Sequence, residues 1–110
     1  MMNKFILLTF LLLITANVFS QKKVVKQATK ITNQMAEALS LDEEEKTKVY
    51  EIQLNRFQQI ASIREKYKND SQTRKLELKK VYRKLFGKLK NALGEDKMQS
   101  WKTYKQTKKN

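Results

Sequence analysis

Hydrophobic residues recur along most of this 110-residue chain at steps of three and four, a spacing that places them on one face of an α-helix. The pattern predicts four helices, which cover about residues 24–39, 43–68, 71–92 and 95–106. The chain has no proline and only two glycines, so it lacks the residues that a turn-rich β fold needs. We therefore predict an all-α fold in which helices joined by short breaks form an extended antiparallel hairpin arrangement.

The first twenty residues follow a different pattern. Lys4 precedes an almost wholly apolar run at residues 5–14, and smaller, more polar residues follow as far as Ser20. These are the three regions of a secretory signal peptide, and the run is shorter than the ~20 apolar residues of a membrane-spanning helix. We predict a signal peptide at residues 1–20, cleaved after about Ser20, and a single all-helical domain at residues 21–110 exported to the periplasm. An uncleaved membrane anchor is the alternative.

Two of the predicted helix starts share a short pattern of leucine, a turn or capping residue and acidic residues. In the first, Asp42 precedes the helix and Glu45 follows three residues later, which is the spacing of a capping box. In the second, Gly94 suits the left-handed conformation that ends a helix, and acidic residues follow it in the next first turn. The residues of this helix-start motif are Leu41, Asp42, Glu45, Leu93 and Gly94.

Together with the export signal, this layout resembles the Spy/CpxP-like family of small helical periplasmic proteins, which carry two LTxxQ motifs that each begin a helix. Residues 41–45 occupy the first motif, with Asp42 for Thr and Glu45 for Gln, and residues 93–97 occupy the second, where only Leu93 is kept. The chain resembles a divergent, Bacteroidetes-type member. The resemblance implies a thin, concave homodimer that holds unfolding client proteins without ATP under envelope stress, and it implies no catalytic residue.

The predicted second helix carries apolar residues over an arc of about 200°, wider than the ~100° stripe that one neighbouring helix covers. We therefore expect a second contact along this helix, provided by another copy of the chain or by a bound ligand. A helix sandwiched between two others of the same chain is the alternative.

The chain is also predicted to have a basic surface, in addition to the apolar surface of the second helix. The chain has 24 Lys and Arg against 11 Asp and Glu, a formal net charge of +13, and the third helix is strongly cationic on its polar side. Apolar contacts combined with flexible cations suit unfolded or acidic client proteins. The apolar client-binding candidates are Tyr50, Leu54, Phe57, Ala61, Leu76 and Met98. The basic candidates are Arg64, Lys68, Arg74, Lys79, Lys80, Arg83 and Lys84.

The composition also argues against most catalytic and metal chemistry. With no histidine and no cysteine, the chain has no imidazole base, no thiolate, no disulfide and none of the best zinc ligands. We therefore predict a binding protein, not an enzyme, without a catalytic residue, a metal site or a cofactor. Two other binding functions stay open. The basic helices could contact an anionic membrane surface or a polyanion, or nucleic acid, against which the predicted export argues.

Overall fold

A computed structural model describes the backbone of residues 3–109 and the side chains of residues 21–109. Over this part of the chain the protein is all-α, with four helices and no strand, which confirms the predicted fold class. We number the helices in chain order: α1 covers Asn3–Leu39, α2 covers Glu43–Lys66, α3 covers Ser71–Leu93 and α4 covers Glu95–Lys109.

Three helices begin where the sequence predicts, at Glu43, Ser71 and Glu95. α1 differs, since it begins at Asn3 instead of near residue 24. The predicted signal peptide lies outside the residues whose side chains are described, and its cleavage stays a prediction. α4 reaches Lys109, past the predicted end at 106, because lysine and glutamine favour helix and basic residues suit its last turn.

The four helices contact one another in a ring. α1 packs against α2, α2 against α3, α3 against α4 and α4 against α1, while among the described residues no Cα atoms of the two diagonal pairs come within 8 Å of each other. α4 has 15 residues and is about 22 Å long, whereas α2 and α3 reach about 35 Å. α4 therefore covers only part of the length of its neighbours. The antiparallel orientation of the helices stays a prediction.

The core contains residues of all four helices. Buried members on α3 recur one turn apart, at Leu85, Leu89 and Leu93, which is the spacing of a single helix face. The remaining members of this core cluster are Met35, Leu39, Val49, Met98 and Trp101. Full burial of each large apolar side chain contributes about 1.5–3 kcal/mol, so this contact between helices stabilises the fold.

The position of α2 accounts for its wide apolar arc. α2 packs against α1 on one side and α3 on another, so both contacts that the arc requires come from the same chain. This is the sandwiched alternative that the sequence left open. The arc therefore does not by itself require a second copy of the protein.

The predicted capping box at the start of α2 is confirmed. The Glu45 N–H donates to Asp42 Oδ1 at 2.8 Å, and the Asp42 N–H donates to Glu45 Oε1 at 3.2 Å. The second carboxylate oxygen of Glu45 accepts a hydrogen bond from Lys97 Nζ, in the first turn of α4. Glu45 and Lys97 each lie three residues after the residue that precedes their helix. The hydrogen bond between them therefore joins equivalent positions of the two helix-start motifs.

Gly94 alone separates α3 from α4. Its φ is +87°, as the sequence predicts for a residue that ends a helix, but its ψ of 167° differs from the left-handed helical value. This combination of angles is essentially restricted to glycine. The Gly94 N–H still donates to the Lys90 carbonyl at 2.8 Å, so the last turn of α3 is closed.

We predict opposite effects for alanine at the two glycines. Gly94→Ala should lower the free energy of unfolding by about 1–3 kcal/mol, because its backbone angles strain any side chain. Gly87→Ala, inside α3 where an added Cβ meets nothing within 4 Å, should raise it by about 0.5–1 kcal/mol. Urea unfolding followed by the fluorescence of Trp101 measures both. Destabilisation of equal size at the two positions would contradict the strain assigned to Gly94.

We also predict that the protein loses stability in acid. The hydrogen bond from Lys97, and next the Asp42 N–H, lowers the pKa of Glu45, and hydrogen bonds from Thr73 lower the pKa of Asp70. A carboxyl pKa that is lower in the folded state contributes stability that is present above the unfolded pKa of about 4 and is lost as the pH falls through the folded value. The free energy of unfolding should therefore decrease below about pH 4.5.

Substitution of Glu45 shows how much of the stability that is lost in acid depends on this residue and how much depends on Asp70. Glu45→Gln should flatten the decrease in part, since Asp70 still contributes. The control Glu65→Gln removes one negative charge from an exposed position of the same helix that forms no ion pair with the described residues. If the free energy of unfolding depends on pH in the same way in the two variants, the Glu45–Lys97 pair does not contribute to the acid sensitivity.

Candidate functional site

Three large apolar side chains of α3 are exposed to solvent. Leu76 is 60% exposed, Tyr82 56% and Phe86 47%. Leu76 was predicted from the sequence as a client contact, whereas Tyr82 and Phe86 were not among the candidates. The buried stripe of α3 is centred on Val81, Leu85 and Leu89. Tyr82 and Phe86 each follow one of these residues directly in the sequence, so they lie to one side of the stripe. Their place at the edge of the stripe is the sequence signal for exposure.

The candidates on α2 are only partly accessible. Tyr50, Leu54, Phe57 and Ala61 are all half-buried, because α1 and α3 cover the two sides of α2. None of the four is fully enclosed. Each of them is less exposed than Leu76, Tyr82 and Phe86 of α3.

The prediction for Met98 is wrong. Met98 is 5% exposed and belongs to the core cluster with Trp101, which lies one turn further along α4. Both side chains therefore point into the space between the helices. Met98 stabilises the fold and is not available as a surface contact.

The basic candidates divide into six exposed residues and one anchored residue. Arg74 is half-buried, and its Nη1 donates to the backbone carbonyls of Tyr67 at 3.4 Å and Lys68 at 3.1 Å, so it closes the end of α2. The other six candidates are exposed: Arg64, Lys68, Lys79, Lys80, Arg83 and Lys84.

The positive charge of α3 is largely uncompensated. This helix has eight Lys and Arg against one glutamate. Lys80 pairs with Glu77 at 3.1 Å and Lys90 pairs with Glu95 at 3.0 Å, both at exposed positions. No other lysine or arginine of α3 forms an ion pair with the described residues. The exposed apolar residues of α3 thus lie on a helix with a strong positive field.

A cleft of about 120 Å³ lies between the four helices. Its lining includes Ile31 of α1, Arg56 of α2, Tyr82 of α3 and Trp101 of α4, and no acidic residue lines it. Lys105 lines the same cleft, with Nζ 5.8 Å from the centre of the Trp101 ring. The cleft is therefore mainly apolar and carries two positive charges.

Arg56 is half-buried in this cleft. Its Nη1 donates to Gln53 Oε1 at 3.1 Å, and its guanidinium lies 4.7 Å from the centre of the Phe57 ring. Among the described residues no carboxylate lies within 4 Å of it. Burial lowers the pKa of this guanidinium, although arginine remains protonated at neutral pH.

Sequence reasoning missed Arg56 and its neighbour Gln53, which is only 1% exposed. Neither residue is among the candidates that the sequence predicts. The available signal is their spacing, because Val49, Gln53 and Arg56 follow one another at steps of four and three and so share a face with the core. Polar residues on the same helix face as buried apolar residues indicate a place where the core between the helices is not purely apolar.

Within residues 21–109, no helix is long and apolar enough to cross a bilayer. Over the same range, no three His, Cys, Asp or Glu side chains are grouped so that they could hold a metal ion.

Comparison with known proteins leaves the family open. No protein-family model matches the chain, and neither the curated proteins nor the solved structures include a match. The resemblance to the Spy/CpxP-like family stays a prediction.

Proposed function

We propose that the protein is an exported, ATP-independent chaperone-like protein of the periplasm that binds unfolded or acidic client proteins. The binding surface in this proposal is the exposed side of α3, together with the half-buried apolar residues of α2. The observation that carries it is the exposure of Leu76, Tyr82 and Phe86 on a helix with eight basic residues and one acidic residue. Apolar contact supplies affinity without sequence preference, and the cations attract acidic segments.

The arrangement of α3 favours a protein client over a membrane surface. A helix that lies on a bilayer inserts its apolar face into the lipid. In α3 that face contains Val81, Leu85, Leu89 and Leu93, all of which are buried against the other helices. Binding of α3 to lipid in the usual way would therefore open the core, whereas a client can use the apolar residues that are already exposed.

A homodimer is part of the proposal, as the family resemblance implies. The wide apolar arc of α2 does not support it, since α1 and α3 already cover that helix. Support comes from the size of the chain, because a small domain without disulfides gains stability from any apolar area it buries against a second copy.

The first experiment follows export, assembly and activity together. The full chain is expressed in a bacterium with a periplasm, and the protein recovered there is measured by intact mass, by sedimentation and in an aggregation assay with a denatured model protein. We expect loss of about the first twenty residues, a dimer, and slower aggregation at substoichiometric amounts.

Two variants with matched controls test the surface. Leu76→Ser should raise the protein concentration needed for half-maximal suppression about fivefold, since roughly 1 kcal/mol of apolar contact is lost. Val25→Ser, which removes an apolar side chain 42% exposed on α1, should not. A second variant replaces four basic residues of α3 by glutamine and should weaken the binding of acidic clients; the residues are Lys79, Lys80, Arg83 and Lys84. Its control removes the same amount of charge from α1, by glutamine at Lys22, Lys23, Lys26 and Lys30.

Other outcomes contradict the proposal in distinct ways. A monomer with no effect on aggregation, even at a large molar excess, removes the chaperone function. Binding to vesicles with anionic lipid but not to clients favours the membrane-surface alternative. Binding to nucleic acid with a steep dependence on salt, by protein that is not exported, favours the nucleic-acid alternative.

A further inference from the structure

The interior cleft combines two properties that a purely structural gap does not need. Its walls are mostly apolar, and the half-buried Arg56 and the exposed Lys105 line it without a carboxylate. An arginine that loses water on folding is usually compensated by an anion, because burial of an unpaired charge is unfavourable. Here the described partners of Arg56 are one amide oxygen and one aromatic ring.

Arg56 has unused capacity to bind an anion. A guanidinium has five N–H donors in a planar fork that matches a carboxylate, and within the described residues one side-chain acceptor, Gln53, engages it. Gln53 itself is fixed, because its Nε2 donates to Met35 Sδ at 3.5 Å in the core. The guanidinium is therefore held in place with donors still available.

The apolar part of the cleft sets the size of a ligand. Its volume of about 120 Å³ is slightly below that of an engineered apolar cavity of ~150 Å³ that accepts benzene. Trp101 and Leu85 line it beside Arg56, and the exposed rings of Tyr82 and Phe86 also contribute to its walls. A phenyl group or a short branched alkyl group fits this space.

We propose that the cleft binds a small monocarboxylate with an aryl or short branched alkyl body. Arg56 receives the carboxylate, Lys105 adds positive charge, and the apolar body lies against Trp101. This site shares the rings of Tyr82 and Phe86 with the proposed client surface. It differs from that surface in its dependence on Arg56 and Trp101, which the chaperone proposal does not use.

The probe is 3-phenylpropionate, titrated into the purified full-length chain. Trp101 is the only tryptophan of the chain and lines the cleft, so its fluorescence reports occupation directly, and calorimetry gives the affinity. For a ligand of this size we expect a Kd of roughly 0.1–1 mM. The uncharged 3-phenylpropionamide should bind at least about tenfold more weakly, because charge-assisted hydrogen bonds are lost.

Two variants identify the residue that receives the carboxylate. Arg56→Met keeps the length of the side chain without its charge and should weaken binding of the acid about tenfold or more, while leaving the affinity for the amide nearly unchanged. Lys66→Met removes a positive charge from the exposed end of the same helix and should leave both affinities unchanged. Circular dichroism confirms that each variant is folded.

Three results would overturn the proposal. The first is no change in fluorescence or heat with 3-phenylpropionate well above the expected Kd. The second is equal affinity for the acid and the amide, which would leave Arg56 without a role. The third is equal weakening by Arg56→Met and Lys66→Met, which would indicate general attraction of anions to a basic protein. None of these results bears on suppression of aggregation, so this proposal and the chaperone proposal fail separately.

Discussion

Contact between the four helices at the core cluster is the interaction on which the structure depends. Trp101 and Met98 bring α4 against residues of α1, α2 and α3, and no disulfide or metal ligand set adds to this contact in residues 21–109. The pair formed by Glu45 and Lys97 connects the starts of α2 and α4, so the capping chemistry of one helix also positions another. The exposed apolar residues of α3 and the cleft are both consequences of this packing, since it decides which side chains of α3 remain outside.

The division of α3 into three faces links fold and function. One face supplies Val81, Leu85 and Leu89 to the core, a second carries lysine and arginine, and Tyr82 and Phe86 lie between them. A single amphipathic pattern therefore provides stability, charge and exposed aromatic area. Because the apolar face is occupied by the fold, only the edge residues remain for binding, and those residues are also the walls of the cleft.

The fold was predictable because it depends on local chemistry. Helical periodicity, the capping box of Asp42 and Glu45, and the positive φ of Gly94 are all properties of short segments. Exposure was harder to predict, because it depends on which helices become neighbours. Met98 has the spacing of any amphipathic residue, and only the position of α4 places it in the core. Arg56 was missed for the same reason, since its burial results from tertiary packing.

The shortness of α4 has a consequence for local stability. This helix is joined to α3 through Gly94 alone, and its buried residues are Met98 and Trp101. α4 is also shorter than the other helices and packs against its neighbours over less of its length than α2 does, so its detachment should require less free energy than that of α2 or α3. Its amide hydrogens should exchange with solvent before those of α2 and α3. Such a detached state would uncover a methionine and a tryptophan beside the cleft, which gives the molecule a second apolar surface that the packed state conceals.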